Sequence, residues 1–193
     1  NNFLNKVRKR CNETGTLLIF DEIQTCFGRL GTLFGFEKYN VTPDILCIAK
    51  GMGAGMPIGA FISSWELMSL LTFDPKLGHI TTFGGHPVNC ASSLACLEYL
   101  LSSDIMKEVT DKEQLFRTHL KHPKITKIRG KGLMLAIEFE DEELAKKVVE
   151  KCLENGLILF YFLFTKTAIR ITPPLTITQE EIIKGCKIIT NIL

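Results

Sequence analysis

The apolar positions of the chain follow two textures, short continuous runs and helical stripes, which alternate through its first half. Phe3, Leu4, Val7 and Cys11 fall on one helical face, with Lys6, Arg8 and Lys9 around it. Residues 17–20, 44–49 (DILCIA) and 59–63 (GAFIS) are apolar runs of the kind expected for strands covered on both faces. Glycine-rich loops at 28–35 and 51–59 separate them. Ser63-x-x-Glu66 has the form of a capping box that opens a helix through Leu71. Pro87 suits a first helical position, and an Ala/Leu/Ser-rich helix over 88–101 follows. Alternating buried strands and helices predict an α/β fold whose sheet is mostly parallel.

The texture changes near Asp104. A charged amphipathic helix is predicted over 105–120, then strands over 125–129 and 133–139 joined through Gly130-Lys131-Gly132. Residues 142–155 carry Leu144, Ala145, Val148, Val149 and Cys152 on one stripe, and Gly156 stops that helix. Two more strands are expected at 157–164 and 168–172, before Pro173-Pro174. Thr178-x-x-Glu181 caps a final helix with Ile182, Cys186, Ile189 and Leu193 facing inward. The pattern divides the chain into residues 1–103, part of a larger α/β domain, and residues 104–193, a small α+β domain. Neither internal repeats nor a low-complexity linker interrupts it. The first helix opens at residue 3 with its apolar side uncovered and with no initiator Met, so the chain reads as a piece of a longer polypeptide.

Composition narrows the function classes. The 193 residues are 46% hydrophobic and 23% charged, ordinary for a soluble globular protein. The net charge of +2, without a long basic run, gives no support to nucleic-acid binding through phosphate neutralisation. The longest apolar run, residues 157–164, is far short of the roughly 20 residues a membrane-spanning helix needs. Seven cysteines contain no Cys-x-x-Cys pair, which removes zinc-ribbon and thioredoxin-type motifs. Their odd number and apolar neighbourhoods, Cys47 in DILCIAK and Cys96 in SLACLEYL, read as buried thiols of a reducing, cytoplasmic protein.

Candidate chemistry gathers at two strand ends. Asp21-Glu22 follows LLIF directly, and the carboxyl ends of strands are where open α/β sheets bind ligands. A solvated turn or helix cap is the plainer use of such a pair. Lys50 follows DILCIA and precedes Gly51-Met52-Gly53-Ala54-Gly55, a setting expected to be crowded and partly desolvated. Desolvation favours the neutral amine, the nucleophilic form of lysine. The glycines do not form a dinucleotide motif, because Met56 stands where a third glycine is needed, and Gly130-Lys131-Gly132 lacks the remainder of a phosphate-binding loop. His119 and His122 lie three apart without a third ligand, so no metal is expected. An acid on one strand end and an amine on another raise the question of a Schiff-base cofactor.

The stretch IFDEIQTCFGRLGTLFGFEKYNVTPDILCIAKGMGAGMPIGAF, followed by TTFGGHPVNCASSLA, resembles the class III pyridoxal-phosphate-dependent aminotransferases. That family includes the ornithine, acetylornithine and 4-aminobutyrate aminotransferases. RGKGLMLAIEF and IRITPPLTIT extend the likeness over nearly the whole chain, as the C-terminal half of such an enzyme. The resemblance implies a fold-type I PLP-dependent transferase, and transamination from an amine or amino-acid donor to a 2-oxo acid such as 2-oxoglutarate. It implies that Lys50 forms the Schiff base with pyridoxal 5′-phosphate, that Asp21 pairs with the ring nitrogen and that Gln24 lies near the ring's 3′ oxygen. Thr82 would hold a phosphate, commonly the neighbouring subunit's in a homodimer, and Arg170 would grip a substrate carboxylate. Cys26 stands where that family usually has glycine, and His86 where it often has asparagine. An aminomutase or racemase would use the same framework, and an inactive fragment with only a structural role is a further reading. The chain by itself is expected to bind the cofactor weakly and to turn over poorly.

Overall fold

The computed structural model describes residues 2–193. They divide into two compact units: the chain up to Gly28 with Thr32–Asp104, and Arg29–Gly31 with Ile105–Leu193.

In the first unit, helix α1 (Phe3–Thr14) leads to strand β1 (Ile19–Asp21), β2 (Ile45–Ile48) and β3 (Ala60–Ser63), in the sheet order β1-β2-β3. Gly15 ends α1 in the left-handed conformation at φ 67°, which a residue without Cβ adopts at little cost. Asp44 then ties three segments together. Its Oδ2 accepts from the Leu18 backbone N–H at 2.6 Å and from Arg8 Nη1 at 2.7 Å, and these bonds, the backbone one first, hold its carboxyl below the usual range.

The sheet is mixed. β1 and β2 run parallel, whereas β2 and β3 run antiparallel. The cause is connection length: residues 22–44 can carry a crossover, while residues 49–59 double back through one 3₁₀ turn at Lys50–Gly53. The strands are also not covered on both faces. Leu18 is buried while Leu17 and Ile19 beside it stand exposed, because alternate side chains point to opposite faces; Leu46 and Ile48 are buried on β2, whereas Phe61 and Ile62, consecutive on β3 at the end of the sheet order, are both exposed.

Helix α2 is short (Trp65–Ser69) and begins one residue later than its motif suggested. Ser64, not Ser63, is its cap, accepting from Leu67 N at 3.3 Å. Ser63 remains in β3 opposite Ile45, and its hydroxyl donates to the Asp44 carbonyl at 2.7 Å. Helix α3 spans Pro87–Ser102 with proline in its first turn, as expected.

The second unit holds α4 (Val109–His119), β4 (Lys127–Lys131), β5 (Met134–Glu138), α5 (Glu142–Glu154), β6 (Phe160–Tyr161), β7 (Ala168–Ile171) and α6 (Gln179–Ile192). Its sheet has the order β4-β5-β7-β6 with every pair antiparallel. Leu135 and Ile137 of β5, Ile169 of β7, Val148 and Cys152 of α5, and Ile182, Cys186 and Ile189 of α6 form one core with Val109 and Phe116 of α4. The box at Thr178 forms as expected: Glu181 N donates to Thr178 Oγ1 at 3.2 Å, and Thr178 N donates to Glu181 Oε2 at 2.8 Å.

Two strands differ from expectation. Only Phe160–Tyr161 of the apolar run at 157–164 is a strand, because it lies at the sheet edge and pairs with β7 alone; Leu163 and Phe164 are exposed. β4 is shifted two residues along, since its pairing with β5 continues to Lys131 opposite Met134 and turns at Gly132, φ 56°. The carbonyl of Arg29 lies 2.5 Å from where a Cβ on Gly132 would stand, so this turn admits only glycine. Arg29 itself is seated by donating to the Leu133 and Pro173 carbonyls.

All seven cysteines are free thiols. Cys47 and Cys96, expected to be buried, are half-buried; the buried ones are Cys26, Cys152 and Cys186. Among the described residues no helix is long and apolar enough to cross a membrane.

Candidate active site

The parallel pairing of β1 and β2 places Asp21 opposite Cys47, three residues before Lys50. The Glu22 N–H extends the pairing by donating to the Cys47 carbonyl at 2.9 Å. A carboxylate and an amine therefore leave the same end of two adjacent strands, which lie about 4.8 Å apart in any sheet. This is the carboxyl end, the ligand-binding side of α/β sheets.

Asp21 is exposed, and its Oδ1 accepts from the Ile23 N–H at 3.0 Å. A carboxylate has about four acceptor positions, so this bond leaves room for a further donor such as a protonated ring nitrogen. Gln24 lies in the turn just beyond, also exposed. The turn is anchored from beneath by Glu22, a residue noted in the sequence only as the neighbour of Asp21. Glu22 is buried; its carboxylate accepts from the Gly35 N–H, from the Phe36 N–H at 2.6 Å and from Thr25 Oγ1 at 3.1 Å.

Lys50 departs from expectation in one respect. Its side chain is exposed, so the desolvated setting read from the surrounding sequence is not present. Its backbone is the crowded part. Lys50 has φ 46°, a left-handed conformation unusual for a residue with a side chain. Beyond it, a Cβ on Gly51 would lie 3.1 Å from Phe27 Cβ, and one on Gly53 would lie 3.0 Å from Ile58 Cγ2. The glycines therefore serve close packing rather than flexibility.

Further side chains contact this loop. Cys26 Sγ reaches the Ala49 carbonyl at 3.9 Å, and burial pushes its thiol up to about 11. From helix α3, Asn89, Ser92 and Cys96 each donate to a loop carbonyl. Sequence reasoning missed these three. Their spacing of three and four was visible, but in an Ala/Leu/Ser-rich helix it reads as an ordinary packing stripe.

Thr82 lies in an exposed turn ahead of α3. The structure brings Asp21, Gln24 and Lys50 to one sheet end but makes no hydrogen bond between them and Thr82 among the described residues. Arg170 belongs to the second unit, on β7, opposite Ala136 of β5 and Phe160 of β6. Its guanidinium carbon stands 5.5 Å from the centre of the Phe160 ring, and its Nε is buried with no hydrogen-bond partner among the described residues. A cavity of about 120 Å³ opens beside it, lined in part by Leu157, Phe160, Ile171 and Ile189. The planar guanidinium of arginine is a geometry that suits bidentate pairing with a carboxylate.

Carboxylate, amine, amide and hydroxyl suit a group bearing a ring nitrogen, an aldehyde, a phenolic oxygen and a phosphate. The residues present thus fit pyridoxal phosphate. Among the described residues no three His, Cys, Asp or Glu side chains gather as a metal site.

Residues 1–193 match the family described as aminotransferase class-III. The acetylornithine aminotransferase of Caldanaerobacter subterraneus subsp. tengcongensis is 39% identical over 196 residues, covering 99% of this chain and 48% of that protein. The structure of Toxoplasma gondii ornithine aminotransferase superposes with a TM-score of 0.89 at 33% identity, over 99% of this chain and 46% of that one. For Plasmodium falciparum ornithine delta-aminotransferase the TM-score is 0.88 at 30% identity, over 99% of this chain and 51% of that one. The chain spans about half the length of the relatives it matches. With the family matched over residues 1–193, the chain belongs to the class-III aminotransferases.

Proposed function

We propose that this protein takes part in pyridoxal-phosphate-dependent transamination, moving an amino group from an amine or amino-acid donor to a 2-oxo acid, with 2-oxoglutarate as acceptor. The observation that carries the reading is the β1–β2 register, which sets Asp21 and Lys50 at one sheet end. When bound, the cofactor supplies an electron sink for the carbanion formed at the donor's amine-bearing carbon.

The chain's own groups hold and orient. Lys50 offers its amine to the cofactor aldehyde and carries the proton to and from the donor carbon. Holding that amine beside the reacting carbon draws on proximity effects, which can supply up to about 7–11 kcal/mol. Asp21 keeps the ring nitrogen protonated by offering it a carboxylate oxygen. Gln24 donates toward the ring's 3′ oxygen. Thr82 takes a phosphate oxygen, and its exposed position suits the phosphate of the second subunit of a homodimer. Arg170 binds the substrate carboxylate, the planar fork of its guanidinium suiting bidentate pairing. A reducing cytoplasm suits seven free thiols.

Substituting Lys50→Ala in the protein at its natural full length tests the assignment. The visible absorbance band of the lysine-bound cofactor is expected to vanish along with transamination. Retention of both would overturn the reading, and turnover without a second, acceptor substrate would favour an aminomutase or racemase.

A further inference from the structure

One face of helix α3 grips the loop that follows Lys50. Asn89 Nδ2 donates to the Pro57 carbonyl at 2.7 Å, Ser92 Oγ to the Gly53 carbonyl at 2.8 Å, and Cys96 Sγ to the Gly51 carbonyl at 3.5 Å. Residues 89, 92 and 96 follow the helical repeat, and with Ser93, Leu97 and Leu100 they form the covered stripe of α3. The Gly51 and Gly53 carbonyls also accept from Ala54 N at 3.3 Å and Met56 N at 2.9 Å, so the side chains cap a turn already closed on itself.

That grip answers a physical need. A non-glycine residue at φ 46° is strained and keeps that conformation only where its surroundings leave no alternative. On one side, Phe27 packs on Gly51 and Cys26 reaches the Ala49 carbonyl. On the other, α3 supplies the three donors. We propose that Asn89, Ser92 and Cys96 are positioning residues, which hold the loop carrying Lys50 in the strained conformation that aims its amine.

The inference rests on the role given to Lys50 above, and its test separates the two. The protein at full natural length is stripped of cofactor, and amide hydrogen exchange is measured over residues 51–57. Asn89→Ala/Ser92→Ala is expected to speed exchange there by roughly tenfold to thirtyfold, as loss of two net hydrogen bonds would, while strands β4, β5 and β7 exchange at their original rates. With cofactor restored, the variant is expected to show a lower kcat at an unchanged KM for the acceptor, and a shifted pH midpoint of the cofactor's absorbance band. Ser92→Thr keeps the hydroxyl and is expected to exchange and turn over like the original protein.

Unchanged exchange over 51–57 in the double variant would overturn the proposal. So would faster exchange that leaves kcat and the absorbance midpoint where they were. A natural protein with no cofactor band at all would overturn the functional reading instead, while exchange in the cofactor-free protein still decides whether α3 holds the loop.

Discussion

Lys50 holds a left-handed backbone conformation, φ 46°, of a kind that costs about 1–3 kcal/mol, and its side chain is exposed in the 193-residue chain. Asp21 is placed by strand pairing, opposite Cys47, and the role proposed for it is to keep a neighbouring ring nitrogen charged. Asp21→Asn is expected to retain cofactor but slow the proton-abstraction step by roughly 10²–10³-fold, as losing one preorganised electrostatic partner does. Single-turnover kinetics would show it, and an unchanged rate would remove the assigned role. The thiols make a second residue-scale prediction. Burial pushes Cys152 up to about 11 and Cys186 up to about 12, from an ordinary value of 9.0. In the unfolded chain these thiols ionise first, so their contribution to stability is complete below about pH 9 and is lost as pH rises toward 11–12. Melting temperature should fall over that window, and less steeply in Cys152→Ala/Cys186→Ala. In the native state a maleimide should label exposed Cys90 and spare Cys26, Cys152 and Cys186 until unfolding.

Helix α6 and strand β6 show how far local pattern reaches among the elements. The Thr178–Glu181 box was readable because both partners sit within one turn and bond each other. The run at 157–164 has the composition of a strand throughout, but only two residues find a partner. Pairing is decided by the neighbouring chain, not by propensity. The shift from Ser63 to Ser64 has the same origin: β3 holds Ser63 in the ladder opposite Ile45, so the helix starts one residue later. At this scale β5 dominates the second unit, with Ile137 fully buried between β4 and β7. Ile137→Ala should cost about 2–5 kcal/mol through lost contact and a residual cavity. Denaturant titration of the variant would measure it, and a loss below about 1 kcal/mol would mean that the core collapses to fill the gap.

For the whole molecule, the decisive fact is that the chain spans about half the length of its relatives, while Asp21, Gln24, Lys50 and Thr82 are all exposed. The 193-residue chain alone is therefore expected to bind pyridoxal phosphate weakly, with no stoichiometric absorbance band at micromolar concentrations. Tight one-to-one binding by equilibrium dialysis would contradict this. The sequence by itself determined the family and the order of most elements, and it offered the amine, acid and arginine as candidates. Those features are local: apolar runs, caps, and short motifs in which the chemistry-bearing residue stands at a strand end. Only the tertiary structure decided that Asp21 and Lys50 share one end of a parallel pair, that β3 returns antiparallel, that the Arg170 Nε lacks a partner among the described residues, and that α3 donates to the Lys50 loop. The pairings and the α3 contacts join residues far apart in the chain, and they, like the burial around Arg170, depend on which surfaces meet after folding, something that no periodicity along one segment encodes.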